Sequence, residues 1–478
     1  MTRSSGQSGV GELAERGPEF RVAVVGSGPA GFYTAGPLLS DAARSISVDV
    51  FDRLPTPWGL VRSGVAPDHP KLKMVSAVFE KTASRPGFRF FGNVRVGSDV
   101  TRADLLRHYH AVVYATGAEN DRKLGIPGEH LPGSHSALQF VGWYNGHPDF
   151  SEERFDLSCE RAVVVGNGNV ALDLARMLSL SREDLACTDV ADHALERLAE
   201  SAVRETIVVG RRGPAQASFT SPELNEFALL ESIRVEVHEP SVLEFAPDPA
   251  SSGSEELRRL ELLRQFAGAG GVRAAGDCRT VQFRFLSSPV AIRGEDKVEE
   301  IVLERNELYL DDSATFRARP TGELVTVPTG LVLRAVGYGG TELTGVPFDA
   351  SKGVIAQRQG RVVSPSGSPS AGEYCVGWIK RGPTGVIGTN KRDALETVTA
   401  LLADLDAGVG NVPVEPCPDA ILELLIARGV QVVDQECWQR IDSHERARGD
   451  AASRPRVKAG RWDELLSLAG RPGGGPPR

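Results

Sequence analysis

RVAVVGSGPAG, residues 21–31, runs a short β-branched stretch straight into a glycine-rich turn. Gly26, Gly28 and Gly31 stand in G-x-G-x-x-G spacing, and an apolar helical pattern begins at Ala30. In such a unit the first glycine permits the tight turn. The second lets backbone approach a pyrophosphate, and the third allows close helix–strand packing. Pro29 suits the first turn of the helix, whose N-terminus can hold phosphate. Asp52 ends the next apolar run, 24 residues after Gly28, where a carboxylate accepts hydrogen bonds from ribose hydroxyls. Gly36-Pro37 falls inside the expected helix and predicts a kink or an early end there.

The same unit recurs about 140 residues later as RAVVVGNGNVALD, with Gly166, Gly168 and Ala171, alanine being the accepted variant of the third glycine. Its following strand, TIVVG, ends in Arg211-Arg212 instead of an acid. Two guanidiniums there suit a 2′-phosphate, so the second unit is expected to take NADP and the first FAD. Other β-branched runs, at residues 47–51, 110–116, 206–209, 330–336 and 373–376, read as buried parallel strands. Helical periodicity fills residues 170–178, 222–230, 255–266 and 392–405. The fold class is therefore α/β, with two Rossmann-type dinucleotide-binding domains. A discontinuous FAD domain is expected over residues 1–120 and 345–478, with the NADP domain at 121–344 between its halves. Residues 1–19 and 471–478 read as a frayed arm and a disordered tail.

Composition narrows the function. Glycine makes up 52 of 478 residues, above the usual level of roughly 7%, without a collagen period. A net charge of -9 argues against a nucleic-acid or membrane-surface protein. Six scattered cysteines contain no C-x-x-C, which excludes a Cys-x-x-Cys redox dithiol and a cluster of ordinary spacing and argues against a structural zinc site. No export signal or membrane span is visible, so a cytoplasmic protein is expected, and nothing demands more than a monomer.

Four further strings are more specific: WGLVRSGVAPDHP (58–70), GNGNVALD (166–173), GRRGPAQASFTSPEL (210–224) and GWIKRGPTGVIG (377–388). On these the chain resembles the adrenodoxin reductases and their actinobacterial relatives, the NADPH-ferredoxin reductases, from about residue 20 to about residue 465. The resemblance implies FAD contacts at Ala30, Asp52, Leu60, Val96, Trp378 and the loop Gly385, Val386 and Ile387. It implies NADP contacts at Asn167, Gly168, Asn169, Val170, Arg211, Arg212 and Glu223, with Gly385 near the nicotinamide. It also implies that the stretch after Val412, in which only residues 420–428 read as helical, wraps the FAD domain.

The reaction implied is hydride transfer from NADPH to FAD, then release of single electrons to a ferredoxin, an iron-sulfur protein. His69, in the Pro-Asp-His-Pro loop, is the expected proton-handling group, able to exchange a proton near neutral pH, with Asp173 or Glu226 as its charged partner. Because ferredoxins are usually acidic, Arg258, Arg259 and Arg264, with Lys380 and Arg381, are candidate docking cations. Three alternatives compete: a dithiol reductase, which needs the missing cysteine pair; a flavin monooxygenase; and a flavoprotein that binds nucleotides without catalysis.

Overall fold

The computed structural model describes residues 19–230, 232–244, 253–268, 278–313 and 315–470; the tail and all of the expected arm but Glu19, which opens a strand, lie outside this set. By packing, the chain divides into two units. The first takes the residues up to Trp58, Ser76–Gly117 and Glu342–Gln435. The second takes Gly59–Val75, Ala118–Thr341 and the residues from Glu436 on.

The first unit is built on a seven-stranded sheet. Glu19–Val25 lies in its interior, parallel to Ser45–Phe51 on one side and Ala111–Tyr114 on the other. Phe88–Phe91 and Pro369–Cys375 extend the parallel set, and two short antiparallel strands, Arg361–Val363 and Gln357–Arg358, finish one edge. Val22, Val24, Val48, Val50 and Val112 are fully buried, as expected of strands covered on both faces, which read as unbroken apolar runs. The helix Pro29–Leu38 ends one residue after Pro37, which has no N–H to continue the ladder.

The second unit repeats the plan with six parallel strands in the order Ser134–Ser136, Leu331–Arg334, Arg161–Val165, Glu205–Val209, Arg279–Arg284, Ile233–Val237. Beside them stands an antiparallel three-stranded sheet, Ser287–Arg293, Glu300–Leu310 and Phe316–Pro328. The strands expected from sequence are all present. The Arg279–Arg284 and Ile233–Val237 strands and the antiparallel sheet were not anticipated.

Packing corrects two assignments to the FAD half. The loop Gly59–Val75 and the residues from Glu436 on belong to the second unit. The C-terminal residues form two helices, Gln435–Ala451 and Trp462–Ala469. Their tie to the loop is ionic. Glu445, fully buried, accepts from both terminal nitrogens of Arg62, at 2.7 and 2.5 Å, and from Arg456 Nη1 at 2.9 Å. Lys458 Nζ donates to Arg62 O at 3.2 Å and pairs with Asp189 at 3.0 Å, while Lys73 Nζ reaches the same Asp189 at 2.6 Å.

Candidate functional site

Both glycine fingerprints form the strand, turn and helix their spacing predicts. Gly26 has φ +109°, and a Cβ there would stand 2.4 Å from Ala115 O. Gly166 has φ +143°, and its Cβ would stand 2.2 Å from Ala335 O. Only glycine can pass the end of the neighbouring strand so closely in a left-handed conformation. A Cβ on Gly31 would meet Gly26 O at 2.0 Å, so this glycine sets the distance between turn and helix. Gly28 and Gly168 are the N-caps of Pro29–Leu38 and Asn169–Ser179, and neither receives a side-chain cap. Around Gly168 there is open space for a Cβ, so that helix end is free to receive an external group.

In the first unit, Asp52 braces the turn. Its carboxylate accepts from Ser27 N at 2.9 Å, from Ser27 Oγ at 2.5 Å and from Leu54 N at 2.9 Å, which leaves lone pairs for a ribose. Ser27 O in turn accepts from Trp58 N at 3.0 Å, with Trp58 held at φ +85°. That strained conformation opens the WGLVRSGVAPDHP motif. Thr116, from the Ala-Thr-Gly strand end, carries a buried Oγ1 with no hydrogen-bond partner among the described residues, and its backbone N stands 3.2 Å from where a Gly26 Cβ would be. A buried hydroxyl left open beside the turn fits a cradle for a polar ligand such as the FAD pyrophosphate.

The GWIKRGPTGVIG segment packs on this turn. A Cβ on Gly377, at φ +75°, would meet Ala30 Cβ at 2.7 Å. Trp378 opens the short helix Trp378–Arg381, and Ile387 begins the long helix Ile387–Asp406 with Val386 as its N-cap. Gly385 sits at φ +81° with its backbone exposed, and Thr389 Oγ1 accepts from Val386 N at 3.2 Å. The loop so held presents glycine backbone outward. Val96 is half-buried in a turn bridged to Val100. Leu60 packs with the second unit.

In the second unit, Asn167 O accepts from Ser218 N and Phe219 N, and Asn169 Oδ1 accepts from Thr220 N at 2.8 Å, tying the turn to the GRRGPAQASFTSPEL segment. Val170 is half-buried behind them. Arg211 and Arg212 follow the strand Glu205–Val209, and neither guanidinium pairs with a carboxylate among the described residues. Burial and the charges of Arg211 and Arg317 pull the Arg212 guanidinium down from its usual range. Cations held close together without a counter-charge fit a bound anion.

His69, Asp173 and Glu223 meet in this unit. His69 Nε2 lies 3.3 Å from Glu223 Oε2 and 3.6 Å from Asp173 Oδ1. Arg176, almost fully buried, donates to Asp68 and, at 2.7 Å, to Asp173, and its Nη2 abuts the His69 ring. Burial opposes the imidazolium, but hydrogen bonds with Asp173 and Glu223 outweigh it and push His69 up to about 10. Three carboxylates face one guanidinium here, and a protonated ring offsets part of the charge left over. Of the two partners expected for His69, Asp173 stands at the ring; the other carboxylate there is Glu223, and Glu226 lies one helical turn further along Ser221–Glu226. The raised value favours the protonated ring at neutral pH. Arg176 was missed, although Asp173 and Arg176 at i,i+3 on an apolar helix are a readable ion pair.

The docking cations are also reassigned. Arg259 is buried and donates to Phe219 O and Ala215 O, and Arg264 donates to Leu243 O. Lys380 is paired with Asp393 at 2.6 Å, and Arg381 donates to Asn390 at 2.7 Å. Arg258 and Arg264 keep exposed places on that helix. All six cysteines are free thiols, and no described helix is long and apolar enough to cross a membrane.

Comparison with known proteins agrees with this geometry. The family model described as "Pyridine nucleotide-disulphide oxidoreductase" matches residues 20–208. The NADPH-ferredoxin reductase FprA of Mycobacterium tuberculosis is 49% identical over 94% of this chain and 99% of its own length. The mitochondrial NADPH:adrenodoxin oxidoreductase of Salvelinus fontinalis is 44% identical over 94% of this chain and 91% of its own. The solved structure of Mycobacterium tuberculosis FprA in complex with NADPH superposes with a TM-score of 0.89 at 48% identity, covering 95% of this chain and all of that one. The chain belongs to the adrenodoxin reductase-like family of NADPH-ferredoxin reductases.

Proposed function

We propose that this protein is an FAD-containing NADPH:ferredoxin oxidoreductase. The observation that carries the reading is the pair of fingerprint turns, one followed by an acid and the other by two arginines with no carboxylate partner among the described residues, in a chain 49% identical to an NADPH-ferredoxin reductase. When bound, FAD takes a hydride from NADPH as an electron pair and passes electrons on singly to an iron-sulfur acceptor.

The chain's residues bind and orient. The helix ends at Gly28 and Gly168 offer backbone N–H groups to the two pyrophosphates, and Asp52 accepts from the FAD ribose. Arg211 and Arg212 take the 2′-phosphate of NADP, which excludes NAD as a good substrate. Ala30, Leu60, Val96, Trp378 and the Gly385-Val386-Ile387 loop line the FAD site, with Gly385 also at the nicotinamide. Asn167, Asn169, Val170 and Glu223 complete the NADP site. His69, kept cationic by Asp173 and Glu223, holds its proton through neutral pH and adds a positive charge beside Arg176. The ferredoxin is the electron partner, and a monomer suffices for these steps. A cytoplasmic setting fits six free thiols in a chain with no disulfide.

The test is an anaerobic titration of the purified yellow protein. NADPH is expected to bleach the flavin band at stoichiometric amounts, and NADH only at far higher concentration. Added ferredoxin is expected to accelerate NADPH-dependent cytochrome c reduction. Equal bleaching by the two nucleotides, or no response to any ferredoxin, would overturn the proposal.

A further inference from the structure

The turn that carries Arg211-Arg212 is held from below by the antiparallel sheet, and the holding point is one buried side chain. Asn306, only 4% exposed, donates both amide hydrogens of Nδ2: to Arg211 O at 2.9 Å and to Ser288 Oγ at 2.8 Å. Its backbone N donates to Leu286 O at 2.7 Å, and Leu286 N donates to Arg212 O at 3.1 Å. Both carbonyls of the arginine pair are thus tied, directly or through one residue, to Asn306.

Two backbone irregularities bring this about. The pairing of Glu300–Leu310 with Phe316–Pro328 slips between Glu304 and Asn306, so that Glu304 faces Leu324 while Asn306 faces Pro320. A bulge of this kind re-aims the side chains that follow it. Leu286, at φ +52°, adopts a left-handed conformation that a branched side chain rarely takes, and its N–H and C=O are the two groups that link Arg212 to Asn306. Strain of this sort persists where the surroundings over-determine it.

We propose that Asn306 is a positioning residue for recognition of the 2′-phosphate: its amide fixes the Arg211-Arg212 backbone so that both guanidiniums are oriented before the nucleotide arrives. The inference rests on the reading of that pair as the 2′-phosphate site. Each arginine has several freely turning bonds, and ordering the peptide beneath them in advance lowers the entropy lost on binding. NADH has no 2′-phosphate, so its binding should not depend on Asn306.

The experiment compares wild type with Asn306→Ala and Asn306→Asp. The aspartate is of equal size but presents acceptors to Arg211 O, so it separates the lost hydrogen bond from lost volume. Calorimetry with 2′,5′-ADP and with 5′-ADP reads phosphate recognition without turnover. Steady-state kinetics with NADPH and NADH read its consequence. Both variants are expected to weaken 2′,5′-ADP binding and raise KM for NADPH by on the order of tenfold. Binding of 5′-ADP, KM for NADH and kcat should stay within about twofold. Unchanged 2′,5′-ADP affinity in both variants, even with a lowered Tm, assigns Asn306 to the hairpin alone and overturns the inference. A wild-type protein that does not prefer 2′,5′-ADP to 5′-ADP overturns the reading of the arginine pair itself. If Asn306→Ala fails to fold, the isosteric Asp variant decides by the same ratio.

Discussion

At the scale of single residues, the glycines of one motif differ in what they do. Gly26 lies against the backbone of Ala115, whereas Gly168 faces open space. Gly26→Ala must move a strand end or force a left-handed alanine, and a loss of about 3 kcal/mol or more in unfolding free energy is expected, with FAD released. Denaturant titration of the variant checks this. His69 carries a pH prediction. Its folded value, about 10, lies above the unfolded value of roughly 6.5, so its contribution is complete below pH 6.5 and is lost as the pH rises towards 10. Tm is therefore expected to fall across that interval in wild type and to fall less in His69→Gln. A ring that titrates at 6 to 7 by proton NMR would contradict it. The sequence made His69 and Asp173 readable through the loop and fingerprint motifs. Glu223 against Glu226 was not decidable, because the two share one face of a six-residue helix a turn apart, and only tertiary packing brings one of them to His69.

Elements were legible where burial is two-sided. Arg161–Val165 and Glu205–Val209 are apolar runs because helices cover one face of their parallel sheet and the antiparallel sheet covers the other. The helix Gln435–Ala451 escaped notice for an equally physical reason. Its buried face is Cys437, Trp438, Ile441, Glu445 and Gly449, so a carboxylate and a glycine interrupt the stripe that periodicity looks for. Glu445 is also where this element can be tested. Glu445→Ala removes the carboxylate partner of Arg62 and one of the two of Arg456, and leaves the buried Arg62 guanidinium uncompensated, at a cost of roughly 3–5 kcal/mol. Glu445→Gln retains the volume and some of the hydrogen bonds, and chemical denaturation should rank it between wild type and alanine.

Across the whole molecule, the two fingerprints belong to different units, so blocking one should spare the other. Gly168→Val places its side chain in the open space at the second helix end. The purified variant is expected to be yellow, with FAD content and Tm near wild type, yet to show no bleaching by NADPH at concentrations that saturate wild type. Loss of FAD from this variant would mean that the sites are not separate. The pairing of an FAD fold with an NADP fold was readable from sequence; the allotment of Gly59–Val75 and the C-terminal helices was not. Those depend on the buried ions Arg62, Lys73, Asp189 and Lys458, residues whose charge, read locally, argues for solvent.

The chain passes from one unit to the other five times, at residues 58–59, 75–76, 117–118, 341–342 and 435–436. Synthesis therefore imposes an order on the fold. The central sheet of the first unit lacks Pro369–Cys375 until most of the polypeptide exists, and the Arg62 guanidinium waits for Glu445, 383 positions later. Neither nucleotide-binding unit can close while the ribosome still holds the last quarter of the chain, and no single cut in the gene separates them into two self-sufficient pieces.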